Sequence, residues 1–273
     1  MKKLVISCLV VLTVFQIASA QDKSDIKAEM KEQREAFRNE RQSQSRSGGG
    51  PTGQAVTAAD VGEPDSFGKT ALFLGIAQSG VVILDPACDP AEIGPLGPDA
   101  HCITVADPSV PVPATTFNDI ARITIPGKSV SNIVYAISNN TVSYDMFNPG
   151  PTPTIGRISY IPTITLESEA LNDPSLINPL TNLPFNGSFT TGIGGTYSTN
   201  KTLAVAASEF LTHSYTRANT SGFSRSLFAG LNLPPAVVDQ IYKKPITLRL
   251  NVRVSSQLVR AGTLLLTARF LGN

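Results

Sequence analysis

From about residue 60 to its end, the chain alternates short apolar runs with clusters of turn-forming residues. The clearest run is residues 246–254, in which every second position is apolar: Ile246, Leu248, Leu250, Val252 and Val254. This period of two is typical of a strand with one buried face and one face in water. The last run, residues 263–271, repeats the pattern with Leu264, Leu266, Ala268 and Phe270 on one side. Both runs therefore predict β-strands.

Two segments predict β-hairpins, because polar residues interrupt an apolar stretch in each of them. The first interruption is at residues 78–80, within an apolar stretch that covers 70–84. The second is the pair Asn139 and Asn140, within residues 133–147. We expect a turn at each interruption. Further short strands are expected at residues 120–125, 155–160 and 163–166.

Only two short helices are predicted, near residues 224–231 and 235–242. The second begins with proline and ends before Lys-Lys-Pro, which are common helix boundaries. Residues 171–201 are rich in Asn, Pro, Gly and Thr and predict a long connection, which is either functional or locally mobile. Residues 203–211 fit either a strand or a helix. We therefore predict one all-β domain at residues 60–273, a two-sheet β-sandwich of jelly-roll or immunoglobulin-like type with one or two short helices.

Charge is distributed unevenly along the chain. The 273 residues include 22 basic and 21 acidic side chains, 16% in all, with a net charge of +1. Residues 22–46 alone carry 13 of these charges in 25 positions, so the β-domain is poor in charge. Neither the net charge nor the spacing of the basic residues suits a nucleic acid, and we expect no nucleic-acid partner.

The first twenty residues predict a secretory signal peptide. Lys2 and Lys3 precede an apolar stretch at residues 4–17, and Ala18-Ser19-Ala20 is a typical cleavage site. No later stretch approaches the roughly 20 apolar residues that a transmembrane helix needs. We expect an exported chain, in the periplasm, on the outer surface or outside the cell, with no transmembrane segment after cleavage.

Residues 21–46 predict a charged amphipathic helix, followed by a flexible Gly/Ser/Pro linker at residues 47–59. Ile26, Met30 and Phe37 fall within about 40° of one another on a helical wheel. Basic residues lie on one flank of this stripe and acidic residues on the other side. The stripe is a candidate for pairing with a second copy or with a partner helix, and the alternative is a solvated tether.

Three cysteines occur, and Cys8 lies inside the predicted signal peptide. Cys88 and Cys102 are the remaining pair, and a pair in an exported chain predicts a disulfide. Four carboxylates lie in or beside this loop and are weak calcium candidates: Asp85, Asp89, Glu92 and Asp99. The alternative is a solvated acidic loop. We predict no other cofactor.

Catalytic motifs are scarce. The chain has two histidines and no G-x-S-x-G motif. A hydrolase that uses two carboxylates stays open, with Glu167, Glu169 and Glu209 as candidates. The pattern favours a non-enzymatic structural, adhesive or assembly component of a bacterial envelope or cell surface, with a protein or cell-surface partner. The alternatives are a secreted ligand-binding module for glycan or calcium and, less favoured, the hydrolase.

Overall fold

The computed structural model describes residues 72–97, 99–193 and 196–273. The predicted signal peptide, the charged helix with Ile26, Met30 and Phe37, and the linker lie outside the described residues. The description below therefore concerns the β-domain.

The described residues form two five-stranded sheets and a small hairpin. Sheet I has the order β10 (Ser208–Ser224), β4 (Ile133–Phe147), β12 (Val259–Gly272), β1 (Leu72–Asp85), β2 (Ala100–Thr104). Sheet II has the order β3 (Val112–Ile125), β11 (Ile246–Gln257), β5 (Thr154–Glu167), β8 (Ser188–Gly192), and β9 (Tyr197–Leu203) also pairs with β5. The hairpin consists of β6 (Ile177–Asn178) and β7 (Leu183–Pro184).

The two sheets stack on one apolar core, as the alternating pattern predicts. β11 buries the five apolar residues of its alternation, and β12 buries Leu264, Leu266, Ala268 and Phe270. From β3 to β5 and again from β10 to β12, the chain crosses from one sheet to the other at every strand. This crossing pattern is that of a jelly-roll-like sandwich. The predicted single β-sandwich is confirmed.

The two predicted hairpins are wrong, because β1 and β4 are each one continuous strand. In β4, Asn140 is buried and its side-chain amide donates to the Ser138 hydroxyl at 3.1 Å, so the polar residues form an internal pair instead of a turn. In β1, the register shifts between Ala77 and Gly80. A Cβ at position 80 would lie 2.7 Å from the Ile120 side chain, so glycine marks a close approach of the two sheets.

Both predicted helices are present, as α2 (Arg225–Gly230) and α3 (Pro235–Lys243). A four-residue helix, α1 (Pro90–Ile93), was not predicted from the sequence. The Asp89 side chain caps it by accepting from the Ala91 amide at 2.8 Å. Among the described residues, no helix is long and apolar enough to cross a membrane.

The segment 171–201 is folded, although its composition suggested an open connection. A 3₁₀ turn (Glu169–Leu171) precedes it, and it contains β6, β7, β8 and the start of β9. It contributes five apolar side chains to the core: Leu171, Leu176, Phe185, Phe189 and Ile193. The ambiguous residues 203–211 hold the end of β9 and the start of β10, so the strand interpretation is the right one there.

Candidate functional site

β10 lies at the edge of sheet I and is, at 17 residues, the longest strand among the described residues. Its first twelve residues pair with β4 without interruption, from Ser208 opposite Phe147 to Asn219 opposite Ala136. No described strand pairs with its other edge. A free edge of this kind presents a row of backbone N–H and C=O groups on which another strand can add.

The outer face of β10 carries a ladder of hydroxyl groups. Three cross-strand hydrogen bonds join it to β4: Thr212 with Ser143 at 3.1 Å, Ser214 with Thr141 at 2.9 Å, and Thr216 with Asn139 at 2.8 Å. Thr212, Ser214 and Thr216 are all exposed. The ladder fixes the β10 side chains in register with β4 and leaves their outer surface polar.

The inner face of β10 closes the side of the sandwich through a tyrosine cluster, which we define as Tyr144, Tyr160, Tyr197 and Tyr215. The ring of Tyr215 stacks on Tyr197 at a centroid distance of 5.7 Å and on Tyr160 at 5.9 Å. Tyr160 and Tyr197 belong to sheet II, so the cluster ties β10 to the opposite sheet. Aromatic stacking of this kind adds to the stability that burial alone provides.

Three phenols of this cluster, those of Tyr160, Tyr197 and Tyr215, have raised pKa values. Burial, together with the neighbouring Tyr215 hydroxyl, raises the pKa of Tyr160 far above its ordinary value. Burial also raises the pKa of Tyr197 and of Tyr215. These three hydroxyls therefore stay protonated at physiological pH and are suited to packing rather than to proton abstraction.

Charged groups frame the tyrosine cluster along β10. Glu209 forms a salt bridge with Lys201 of β9 at 2.8 Å. The guanidinium of Arg217 lies 4.8 Å from the centre of the Tyr215 ring and is exposed, without a salt bridge to a carboxylate of the described residues. His213, midway between them, is exposed and lies 5.7 Å from Tyr215, ring to ring.

A buried ion pair anchors the start of β10. Asp145 of β4 is 1% exposed, and its carboxylate accepts from Arg260 Nε at 2.7 Å and from the Ser208 hydroxyl at 2.9 Å. The network joins β4, β10 and β12, the three neighbouring strands of sheet I. It holds β10 in place without using its free edge.

A second surface feature is a groove on the outer side of sheet II, with a volume of about 410 Å³. Its walls come from β5, β9, β11, the first residue of β3 and the proline before it: Pro111, Val112, Arg157, Ser159, Ser198, Asn200, Ser255, Ser256 and Gln257. Arg157 is exposed and forms no salt bridge with the described carboxylates. The groove lining therefore combines hydroxyl, amide and guanidinium groups with the apolar side chains of Pro111 and Val112.

The predicted disulfide between Cys88 and Cys102 is present, with the two Cα atoms 5.9 Å apart. Two of the four calcium candidates around it bind backbone amides of their own loop. Asp85 accepts from the amides of Ala87 and Cys88 at 3.1 and 3.0 Å, and Asp89 caps α1. In the described ranges, no group of three or more His, Cys, Asp or Glu side chains could hold a metal ion.

The three carboxylates considered for hydrolysis lie on separate elements, and each forms a salt bridge. Glu167 on β5 pairs with Arg249 at 2.6 Å, and Glu169 on the 3₁₀ turn pairs with Lys244 at 3.2 Å. Glu209 on β10 pairs with Lys201. The sequence did not single out the β10 edge or its tyrosine cluster, although the alternation of polar and ring-bearing residues at 212–216 is a strand signal.

No protein family model matches the chain, and no curated protein matches it. Weak likenesses exist to solved structures. The VP2 protein of infectious bursal disease virus (D431N mutant) is 10% identical, with 58% of this chain and 34% of that chain covered and a TM-score of 0.17. The laminarinase from Rhodothermus marinus is 10% identical, with 56% and 70% covered and a TM-score of 0.20.

A structure of CBM4 is 13% identical, with 54% of this chain and 55% of that chain covered and a TM-score of 0.12. The chain spans about a third of the length of the VP2 chain that it matches. At these TM-scores the likenesses carry no argument about function, and the functional argument rests on the site itself.

Proposed function

We propose that this chain is an exported, non-enzymatic structural subunit that joins larger assemblies of a bacterial envelope or cell surface by strand addition at β10. The observation that carries the proposal is the 17-residue edge strand, which among the described residues is paired on one side only. Proteins that work alone usually shorten, twist or cover such an edge, because it promotes association. A long free edge is therefore a feature of a protein that binds another strand.

The other edges of the sandwich are less suited to strand addition. β3 has proline at position 113 and an interruption of its pairing near Asp119, which has a φ of 63°. β2 and β8 have five residues each. β10 contains neither proline nor lysine, the residues that commonly protect an edge.

The supports behind β10 reduce the cost of binding. The Asp145–Arg260 ion pair, the hydroxyl ladder and the tyrosine cluster hold the strand in an extended form before any partner arrives. A partner strand would therefore not have to order β10 on binding, and preorganisation of this kind improves affinity.

The disulfide supports the exported location. Disulfides persist in oxidising compartments such as the periplasm or the cell exterior and are rare in the cytosol. A sandwich that is stabilised in this way suits a structural role outside the cytosol.

Amide hydrogen exchange of the full chain, isolated and in its assembled form, tests the proposal. The β10 amides that point away from β4 should exchange quickly in the isolated chain and at least tenfold more slowly in the assembly. The amides of β3 serve as the matched control, because β3 is also an edge strand, and their exchange should not change. Assemblies in which β10 exchanges as fast as in the isolated chain would contradict the proposal.

The groove on sheet II favours a second candidate function, the binding of a glycan. Its volume of about 410 Å³ is within the usual range for small-ligand sites, and its polar groups suit sugar hydroxyls. Calorimetric titration with neutral and carboxylate-bearing oligosaccharides tests this. Arg157→Ala and Asn200→Ala should each weaken binding about tenfold, whereas Arg253→Ala, an exposed arginine on β11, should not. An equal loss of oligosaccharide affinity in all three variants would count against binding in the groove.

A further inference from the structure

The charges on the inner face of β10 are arranged symmetrically around His213. Glu209 precedes His213 by four residues, and Arg217 follows it by four. Because side chains alternate along a strand, these three residues lie on the same face, together with Leu211 and Tyr215. Their inner orientation follows from β4, where Met146 opposite Glu209 and Val142 opposite His213 both belong to the hydrophobic core.

This arrangement of charges is complementary to a second copy of β10 that pairs with it in the antiparallel direction. When two identical strands pair antiparallel about a two-fold axis at His213, Glu209 lies opposite Arg217 of the second copy. The pairing occurs twice, once on each side of the axis. Opposite charges that face each other across antiparallel strands stabilise the pairing, and like charges destabilise it. Arg217 is available for this contact, since it forms no salt bridge with the described carboxylates.

The outer face of β10 is also compatible with antiparallel pairing about an axis at His213. Thr212 and Ser214 flank the axis, so that Thr212 would lie opposite Ser214 of the second copy. Each already bonds to a hydroxyl of β4, so the ladder of hydroxyl groups would continue from one copy into the next. Hydroxyl pairs of this type are favourable across strands.

We propose that two copies of this chain pair through antiparallel β10 strands centred on His213, which joins the two five-stranded sheets I into one continuous sheet. This inference rests on the proposed function and names the partner strand. The interface is isologous, because the same residues meet themselves or each other across the axis. The inner-face pairs are His213 with His213, Leu211 with Tyr215, and Glu209 with Arg217.

Charge reversal tests the register. Sedimentation of the full chain over a concentration series should show a dimer. Arg217→Glu should weaken it at least tenfold, because Glu209 then faces a second carboxylate. The combined variant E209R/R217E should restore the dimer to within a few-fold of the natural chain. Arg269→Glu is the matched control, since Arg269 is exposed on the central strand β12, and it should have no effect.

Cysteine cross-linking tests the axis. His213→Cys would place two thiols opposite each other, at a spacing that suits a disulfide. Thr216→Cys is the control, because residues 216 of the two copies would be six positions apart along the strands, roughly 20 Å. The inference predicts a cross-linked dimer for the first variant only. Equal cross-linking of both variants, cross-linking of neither, or failure of the double charge reversal to restore the dimer would overturn it.

The two proposals fail separately. Protection of the β10 amides in an assembly that shows no cross-link at position 213 overturns the two-fold pairing and leaves strand addition at β10 in place. Assemblies without any protection of β10 overturn both.

Discussion

The hydroxyl oxygens of Tyr144 and Tyr197 lie 3.2 Å apart and join the two sheets of the sandwich. Tyr144 belongs to β4 of sheet I and is 1% exposed, whereas Tyr197 belongs to β9 of sheet II and is half-buried. Tyr197 also stacks on Tyr215, so this hydrogen bond lies directly behind the edge strand β10. The cross-sheet bond and the edge strand therefore form one structural unit.

Tyr197→Phe should destabilise the protein by about 1–3 kcal/mol, because the buried Tyr144 hydroxyl loses its partner while the ring packing is kept. Urea denaturation measures the loss. The double variant Y144F/Y197F is the control, because removal of both hydroxyls leaves no unsatisfied group. Its loss should be smaller than the sum of the two single losses, and strictly additive losses would contradict a direct bond.

Arg260→Ala should destabilise the protein by about 3 kcal/mol, because it leaves the carboxylate of Asp145 buried without its cation. Arg269→Ala on the same strand removes an exposed arginine and should change the stability by less than about 0.5 kcal/mol. Thermal unfolding of both variants beside the natural chain provides the comparison. Similar effects of the two substitutions would show that the Asp145 network does not stabilise sheet I.

The alternating pattern predicted the central strands well and the polar interruptions poorly. β11 and β12 lie inside their sheets with one buried face, so their sequence alternates regularly. β4 carries Ser138 and Asn140 on its buried face, where the Asn140 amide donates to the Ser138 hydroxyl and that hydroxyl donates to the backbone oxygen of Arg217. A pattern that equates polar with exposed cannot distinguish such a buried polar pair from a turn.

The candidate site depends on contacts between residues far apart in sequence. The tyrosine cluster brings together Tyr144, Tyr160, Tyr197 and Tyr215, from four different strands. Whether a strand is central or at an edge depends on the strands that pair with it. The local sequence pattern of β10 carries no information about those partners. The disulfide was easier to predict, because only one pair of cysteines lies outside the predicted signal peptide.

Gly80→Ala should destabilise the protein by about 1–3 kcal/mol, since the added methyl group would lie 2.7 Å from the side chain of Ile120. Gly97→Ala is the matched control, because a Cβ there meets nothing within 4 Å. Chemical denaturation of the two variants compares them. If Gly80→Ala is as stable as Gly97→Ala, the sheets do not approach each other at the β1 bulge as described.

Removal of the disulfide in the double variant C88A/C102A should cost about 3 kcal/mol, the value expected for a closed loop of about 15 residues. The loss should appear as a lower denaturation midpoint in urea. Addition of a reducing agent should lower the midpoint of the natural chain toward that of the variant and leave the variant unchanged. An equal response of both proteins to the reducing agent would contradict a stabilising disulfide.

His101 should make the stability of the protein fall as the solution becomes acidic. Its ring stacks on Phe117 at 4.8 Å, and burial lowers its pKa, an effect that the charge of Asp99 opposes. The folded chain thus resists protonation of His101, whereas the unfolded chain takes up the proton near the ordinary value of about 6.5. This contribution to stability is complete above about pH 6.5 and is lost as the pH falls through the lower pKa of the folded state.

The variant His101→Phe keeps a ring against Phe117 and removes the titrating group. Between about pH 7.5 and pH 5, it should lose less stability in urea denaturation than the natural chain does. Because the other acidic and basic groups are common to both proteins, the difference between the two curves isolates His101. Parallel curves over this range would show that the ring of His101 is as easily protonated in the folded state as in the unfolded chain.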